Sequence, residues 1–188
     1  MTMIPDSDLP EPQRADEAYF DKTVGGGRSF DGRLLRQRLT VLPNRSPLIF
    51  GPDDFVAPAM RAMQVEHRGC VLVTTDGTLN GRLAGIFTER DVLNKIIGQG
   101  RNPALVTLAE VMVADPEALP SDAPVAWVLN KMSVGGFRHV PVVDAEGRIV
   151  FVVSMRDVVQ FLVEAFPNEV LNLPPEFGVA HAPSRDGA

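Results

Sequence analysis

Two four-residue stretches carry the residue types that could do chemistry in this chain: Thr88-Glu89-Arg90-Asp91 and Ser154-Met155-Arg156-Asp157. Each offers a hydroxyl, a guanidinium and a carboxylate within one helical turn. Each follows an apolar run, Gly85-Ile86-Phe87 or Phe151-Val152-Val153, and precedes apolar residues at helical spacing. The plainest reading is helix capping. The hydroxyl accepts from a backbone N–H that has no partner in the first turn, and the Asp sits where the helix dipole favours negative charge. Capping accounts for either copy alone. It does not account for the same residue types recurring 66 residues later, from Thr88 to Ser154, which points to a duplicated unit.

Other chemistries lack their residues. His67, His139 and His181 are far apart, and Cys70 is the single cysteine, so neither a metal set nor an internal disulfide is predicted. There is no Gly-x-x-x-x-Gly-Lys phosphate loop and no Gly-x-Ser-x-Gly elbow. No catalytic residue is assigned, and the chain is not expected to be an enzyme. The 188 residues, 45% hydrophobic and 22% charged, suffice for a buried core. A net charge of −6 without a basic patch argues against a sequence-independent grip on nucleic acid. No apolar stretch is long enough to span a membrane, and Met1-Thr2-Met3-Ile4-Pro5-Asp6 lacks the basic start and apolar core of a signal peptide. The lone cysteine fits a reducing compartment, so a cytoplasmic location is expected.

These residues must be positioned by the elements around them. Residues 1–38 read as a poorly structured arm with Pro5, Pro10, Pro12 and the linker-like run Gly25-Gly26-Gly27, apart from one short amphipathic helix suggested by Leu34, Leu35 and Leu39. In residues 39–102, Asp53-Asp54 can cap a helix bearing Val56, Ala59, Met60 and Met63. Cys70–Thr75 and Arg82–Phe87 read as strands around an Asp76-Gly77 turn. Thr88 then opens a helix with Val92, Leu93, Ile96 and Ile97 inward. Residues 103–166 repeat the order: a helix with Val125, Val128, Leu129 and Met132 on one face, strands Val140–Val143 and Ile149–Val153, and a helix opened by Ser154 carrying Val158, Val159, Leu162 and Phe166. Asp76 and Asp144 are matched as equivalents, which makes the first hairpin loop two residues longer. Trp127 lies off its helix's apolar face, and the last helix is apolar around much of its girth, so both suggest contact with another surface. Residues 167–188 read as a polar tail with a few docked apolar residues such as Leu171 and Phe177.

The two motifs, their order, the stretch Phe137-Arg138-His139-Val140-Pro141-Val142-Val143-Asp144 and the linker Glu110-Val111-Met112 together resemble a tandem pair of CBS domains, the Bateman module, over roughly residues 40–166. The resemblance implies an α+β fold of two β-α-β-β-α units packed sheet to sheet in pseudo-two-fold symmetry, with two related clefts. It implies no cofactor but a regulatory adenosyl ligand, such as AMP, ADP, ATP or S-adenosylmethionine. It assigns Asp91 and Asp157 to ribose hydroxyls and Thr88 and Ser154 to phosphate, a role that suits the helix N-terminus and the nearby Arg90 and Arg156. Gly85 and Ile86 complete the first candidate site. Arg138 and His139 stand where family members often place basic residues for phosphate.

Two departures make the copies unequal. Phe151 replaces the small residue that Gly85 represents, and the first unit has no counterpart of Arg138-His139 at Cys70-Val71, although His67 and Arg68 are close by. The first cleft, with Gly85, Thr88 and Asp91, is therefore expected to be the competent one, with Phe151 filling or reshaping the second. The functional expectation is a stand-alone homodimeric sensor that uses nearly the whole chain, with no catalytic or transport domain attached, and signals to an unknown regulated protein. The alternative is a structural or dimerisation module whose clefts are empty or self-filled.

Overall fold

The computed structural model describes residues 32–166; the arm up to residue 31 and the tail 167–188, with Leu171 and Phe177, lie outside the described residues. A single helical turn, α1 (Gly32–Leu35), and a 3-10 turn (Leu39–Val41) precede the first unit. That unit runs β1 (Ile49–Phe50), α2 (Val56–Val65), β2 (Cys70–Thr74), β3 (Leu83–Thr88) and α3 (Glu89–Asp91), which continues as a π-helix (Val92–Ile97). A short helix α4 (Leu108–Val111) and strand β4 (Val113–Ala114) link it to the second unit. There β5 (Leu119–Pro120), α5 (Val125–Gly135), β6 (His139–Val143), β7 (Ile149–Ser154) and α6 (Met155–Ala165) repeat the order. The fold is the α+β duplication expected.

The sheets have the strand orders β1-β2-β3-β4 and β5-β6-β7, with the first pair of each parallel and the rest antiparallel. Side chains alternate across each sheet. Val71, Val73 and Phe87 face α2 in one core, and Val140, Val142, Phe151 and Val153 face α5 and α6 in another. On the opposite faces Cys70, Leu72 and Ile86 of the first sheet meet Ile149 and Val152 of the second.

Each helix-side core is completed by the segment that precedes the other unit. Leu39 and Leu42 are buried in the second unit's core, and Val106, Leu108 and Val111 in the first's. The backbone repeats the exchange faithfully. Val56 N–H donates to Val106 O (2.9 Å) and Val125 N–H to Gln37 O (2.8 Å), while Phe55 bridges Thr107 and Pro124 bridges Arg38. An offset of 69 residues maps one set onto the other.

Several expectations change in detail. The amphipathic helix predicted near Leu34–Leu39 shrinks to one turn, and Leu39 goes into the second core instead. Asp54 does not cap α2; Phe55 is the N-cap residue, and Asp54 Oδ2 accepts from Gly51 N–H at 2.7 Å. The hairpin loops differ by three residues, not two, because Thr74 pairs with Leu83 and Val143 with Ile149. Thr75, not Asp76, is the equivalent of Asp144: its N–H donates to Arg82 O as that of Asp144 donates to Arg148 O. After Asp91 the helix widens to π geometry; along it Ile96 is buried while Leu93 (60% exposed) and Ile97 (64%) face outward. Val159 is likewise exposed, whereas Phe161 joins the core.

The exchange makes a direct prediction. Leu39 stands at the very start of the first repeat, ahead of β1, yet is fully buried against the second, so Leu39→Ala should cost about 2–5 kcal/mol. Urea denaturation followed by circular dichroism measures this; a loss within about 0.5 kcal/mol, the size of an ordinary surface substitution, would show that the segment is not part of the core.

Candidate functional site

Both motifs form complete capping boxes at the ends of β3 and β7. Asp91 Oδ2 accepts from the Thr88 N–H (3.0 Å) and from the Thr88 hydroxyl (2.7 Å), and Asp157 Oδ2 accepts from the Ser154 N–H (2.7 Å) and hydroxyl (2.6 Å). In return each hydroxyl oxygen accepts from the Asp backbone N–H. Both carboxylates are buried to less than a tenth exposure. Their other oxygens differ. Asp91 Oδ1 holds the Lys95 ammonium at 2.8 Å, and Lys95 also donates to Val111 O at 2.6 Å. Asp157 Oδ1 accepts from no donor among the described residues. A third box, Thr107 with Glu110, caps α4; its Thr-x-x-Glu signal was visible in the sequence but carries no cleft.

Two clefts lie at these helix ends, and each draws on both units. The first, about 350 Å³, is lined by Ile86, Thr88, Glu89, Arg90 and Asp91 on one side and by Asp115, Phe137, Arg138, His139 and Pro141 on the other. The second, about 770 Å³, sets Ser154, Met155, Arg156 and Asp157 against Arg45, Gln64, His67, Arg68 and Cys70. Gly69, Glu89, Arg138 and His139 line both. The sequence pairs Arg138 and His139 with the second unit's own cleft; the structure makes them a wall common to the two. The reason is packing: Gly69, just before β2, lies against His139 at the start of β6. A Cβ built on Gly69 would meet the His139 ring at 2.7 Å, so only glycine lets the imidazole lie there. Asp115 and Phe137 in the first cleft, and Arg45 and Gln64 in the second, were missed because they are brought in by segments distant in the chain from the motif they face; Glu89 lies within the first motif itself, beside Gly69.

Gly85 and Phe151 play other parts than those the sequence suggests. Gly85 lies on the helix-side face of β3, lines neither cleft, and leaves room for Met112, whose sulfur would clash with an added Cβ. Phe151, the corresponding residue of β7, lies on the equivalent face, 4% exposed in the second core, and lines neither cleft. It is core filling, not a plug. Alternation explains both: along β3 it is Ile86, one residue on, that faces the cleft.

Burial shapes the titration of two cleft groups. It pushes the Cys70 thiol up to about 12, against a smaller downward pull from Arg68, so the thiol stays protonated at neutral pH. It holds the His139 imidazole below its ordinary value; Asp157 opposes this and Arg138 adds to it. Among the described residues no cluster of His, Cys, Asp and Glu could hold a metal ion.

Paired units, exchanged segments and a capping carboxylate in each cleft define a tandem-repeat module. A family model for the CBS domain matches the chain twice, over residues 39–98 and 108–164. The chain belongs to the CBS domain family, with two CBS domains in tandem. It is 30% identical over 175 residues to the mitochondrial CBS domain-containing protein CBSX3 of Arabidopsis thaliana, covering 89% of this chain and 78% of that one. It spans only 22–26% of the length of the longer CBSCBSPB relatives from the same plant. Among solved structures it is similar to a CBS domain protein from Pyrobaculum aerophilum complexed with AMP (24% identity, TM-score 0.60, 68% of this chain and 96% of that one). It is also similar to the CBS domain pair of protein MJ0100 in complex with 5-methylthioadenosine and S-adenosyl-L-methionine (25% identity, TM-score 0.55, 63% and 94%).

His139 gives the fold a pH dependence whose sign follows from its depressed pKa. As pH falls through the ordinary histidine value of 6.5, the unfolded chain takes up a proton that the folded protein still refuses. Stability therefore begins to drop as the pH approaches 6.5 from above and goes on falling to the folded-state pKa, while well above 6.5 this group contributes no slope. Between about pH 7.5 and 5.5 the wild type should lose more stability in urea titrations than His139→Gln, because only the wild type carries this linkage. Equal losses in the two proteins would contradict it.

Proposed function

We propose that this protein is a regulatory sensor that binds an adenosyl ligand in its inter-unit clefts and passes the binding on as a changed affinity for a protein partner. It works without a catalytic step, as a homodimer, in the cytoplasm. The observation that carries the ligand reading is the construction of the clefts. Each places a capping-box hydroxyl and carboxylate from one unit opposite the polar start of a strand from the other. A carboxylate held on one oxygen by its own cap can accept ligand hydroxyls on the other, and an adjacent guanidinium can take a phosphate. The complexes of related CBS proteins with AMP, and with 5-methylthioadenosine and S-adenosyl-L-methionine, support this ligand class. The competing reading, a structural module with self-filled clefts, drew on Phe151, which packs in the core and so lends it no support.

A thermal-shift and calorimetry panel of AMP, ADP, ATP, cyclic dinucleotides and S-adenosylmethionine tests the ligand reading. A ligand at about 100-fold its dissociation constant should stabilise the fold by about 2.7 kcal/mol. The shift should shrink in Asp91→Asn or Asp157→Asn, whose amide oxygens can keep the caps. No shift with any compound, or full shifts in both variants, would sink it.

The dimer reading rests on apolar side chains left in solvent. Leu93 (60%), Ile97 (64%) and Val159 (51%) are exposed on the motif-led helices, and Trp127 (54%) on α5. Exposed apolar groups of this size mark contact surfaces more often than scattered surface residues do when they recur on matching elements. Light scattering should give twice the 20.4 kDa chain mass, and Leu93→Glu with Ile97→Glu should bring it to the monomer. A wild-type monomer at micromolar concentration would refute the dimer.

A further inference from the structure

The two clefts are related by pseudo-symmetry but differ in charge, in size and in the state of their carboxylate. In the second, Arg45, Arg68, Arg138 and Arg156 face Glu89 and Asp157, and none of the six is in an ion pair among the described residues. Four guanidiniums against two carboxylates leave an excess of two positive charges. In the first, Arg90 and Arg138 face Glu89, Asp91, Asp115 and Glu117. Lysines at 95 and 131 neutralise Asp91 and Glu117, so at best the lining is balanced and it offers no cationic excess. Glu89 and Arg138 belong to both clefts and cancel in the comparison.

Two further observations point the same way. The second cleft has about 770 Å³ against about 350 Å³ for the first. Its carboxylate Asp157 keeps Oδ1 free of donors among the described residues, whereas Lys95 occupies Oδ1 of Asp91. The second cleft is also headed by α6, a regular helix of eleven residues, whose N-terminal dipole favours anions. The first is headed by a three-residue α-turn that gives way to π geometry.

We infer that the clefts sort adenosyl ligands by charge: the second binds the phosphorylated ligand, its phosphates among Arg45, Arg68 and Arg156, and the first admits only an uncharged or cationic adenosyl compound. This rests on the adenosyl-ligand reading above and reverses the sequence-based expectation that the first cleft is the competent one. A phosphate bearing two or more charges gains from each charge-assisted guanidinium contact in the second cleft. In the first, with the shared Glu89 and Arg138 set aside, Arg90 is already offset by Asp115, so a phosphate finds no surplus cation and meets a like charge that disfavours binding.

The test is calorimetry on the full chain with ATP, adenosine and S-adenosylmethionine as probes. Removing two charge-assisted phosphate contacts with the Arg68→Ala, Arg156→Ala double variant should weaken ATP by at least about tenfold and adenosine by less than about threefold. Arg68→Lys, Arg156→Lys keeps the charge and should restore much of the ATP affinity, which separates lost charge from lost packing; circular dichroism melts check that every variant folds. ATP binding should also fall in Asp157→Asn but hold in Asp91→Asn, and weaken as salt rises from about 50 to 500 mM, since shorter screening lengths erode charge attraction. ATP that is lost in Asp91→Asn yet indifferent to Arg68 and Arg156, or that fills two equal sites, overturns the sorting while leaving the adenosyl reading intact. Failure of all three probes to bind removes the adenosyl reading itself, and the sorting with it.

Discussion

The structure depends on an exchange. Neither repeat closes its own hydrophobic core: Leu39 and Leu42 complete the second, and Val106, Leu108 and Val111 complete the first. Buried aliphatic side chains of this size each contribute on the order of 1.5–3 kcal/mol. The exchange is thus a large fraction of what a domain has to spare. It also dictates geometry. The crossed segments pin the helices α2 and α5, those helices seat the two sheets, and the sheets meet face to face through Cys70, Leu72, Ile86, Ile149 and Val152. The strand ends of one unit are thereby brought against the motif of the other.

Within that frame the capping boxes do two things with one carboxylate. Oδ2 accepts from the N–H and the hydroxyl of the cap residue, so the Asp is oriented by the fold itself and needs no ligand to hold it. The cost of desolvating a nearly buried carboxylate is offset by these hydrogen bonds. What remains for a ligand is Oδ1, and here the repeats diverge through a single neighbour. Lys95 sits four residues after Asp91 and ties it to the linker carbonyl of Val111, while the equivalent position four residues after Asp157 is Phe161, which has no donor to offer and packs in the second core.

Much of this was legible from the chain. The alternation of strands and the 3.6-residue spacing of helices reflect burial on one face, and burial is what the sequence pattern records; Val125, Val128 and Met132 are all buried as their spacing implies. Motif recurrence exposed the duplication. What the pattern could not show was which side of a strand faces which layer, since both faces of β3 are buried. Gly85 and Phe151 were therefore assigned to clefts when they belong to helix-side cores. Nor could spacing reveal that Leu93 and Ile97 are left exposed, or the pairing of Arg138 and His139 with residues of the other unit. Those are properties of contacts between segments some 70 residues apart, and no local period encodes them.

The imidazole of His139 resting on Gly69 means that the clefts are separated by the thickness of one side chain. Gly69, Glu89, Arg138 and His139 each border both. A substitution at any of these four positions is a change to two sites at once. The duplicated sites are free to diverge only away from these four shared positions, at Arg45, Arg68 and Arg156 on one side and Asp115 and Glu117 on the other, and behind the first carboxylate at Lys95.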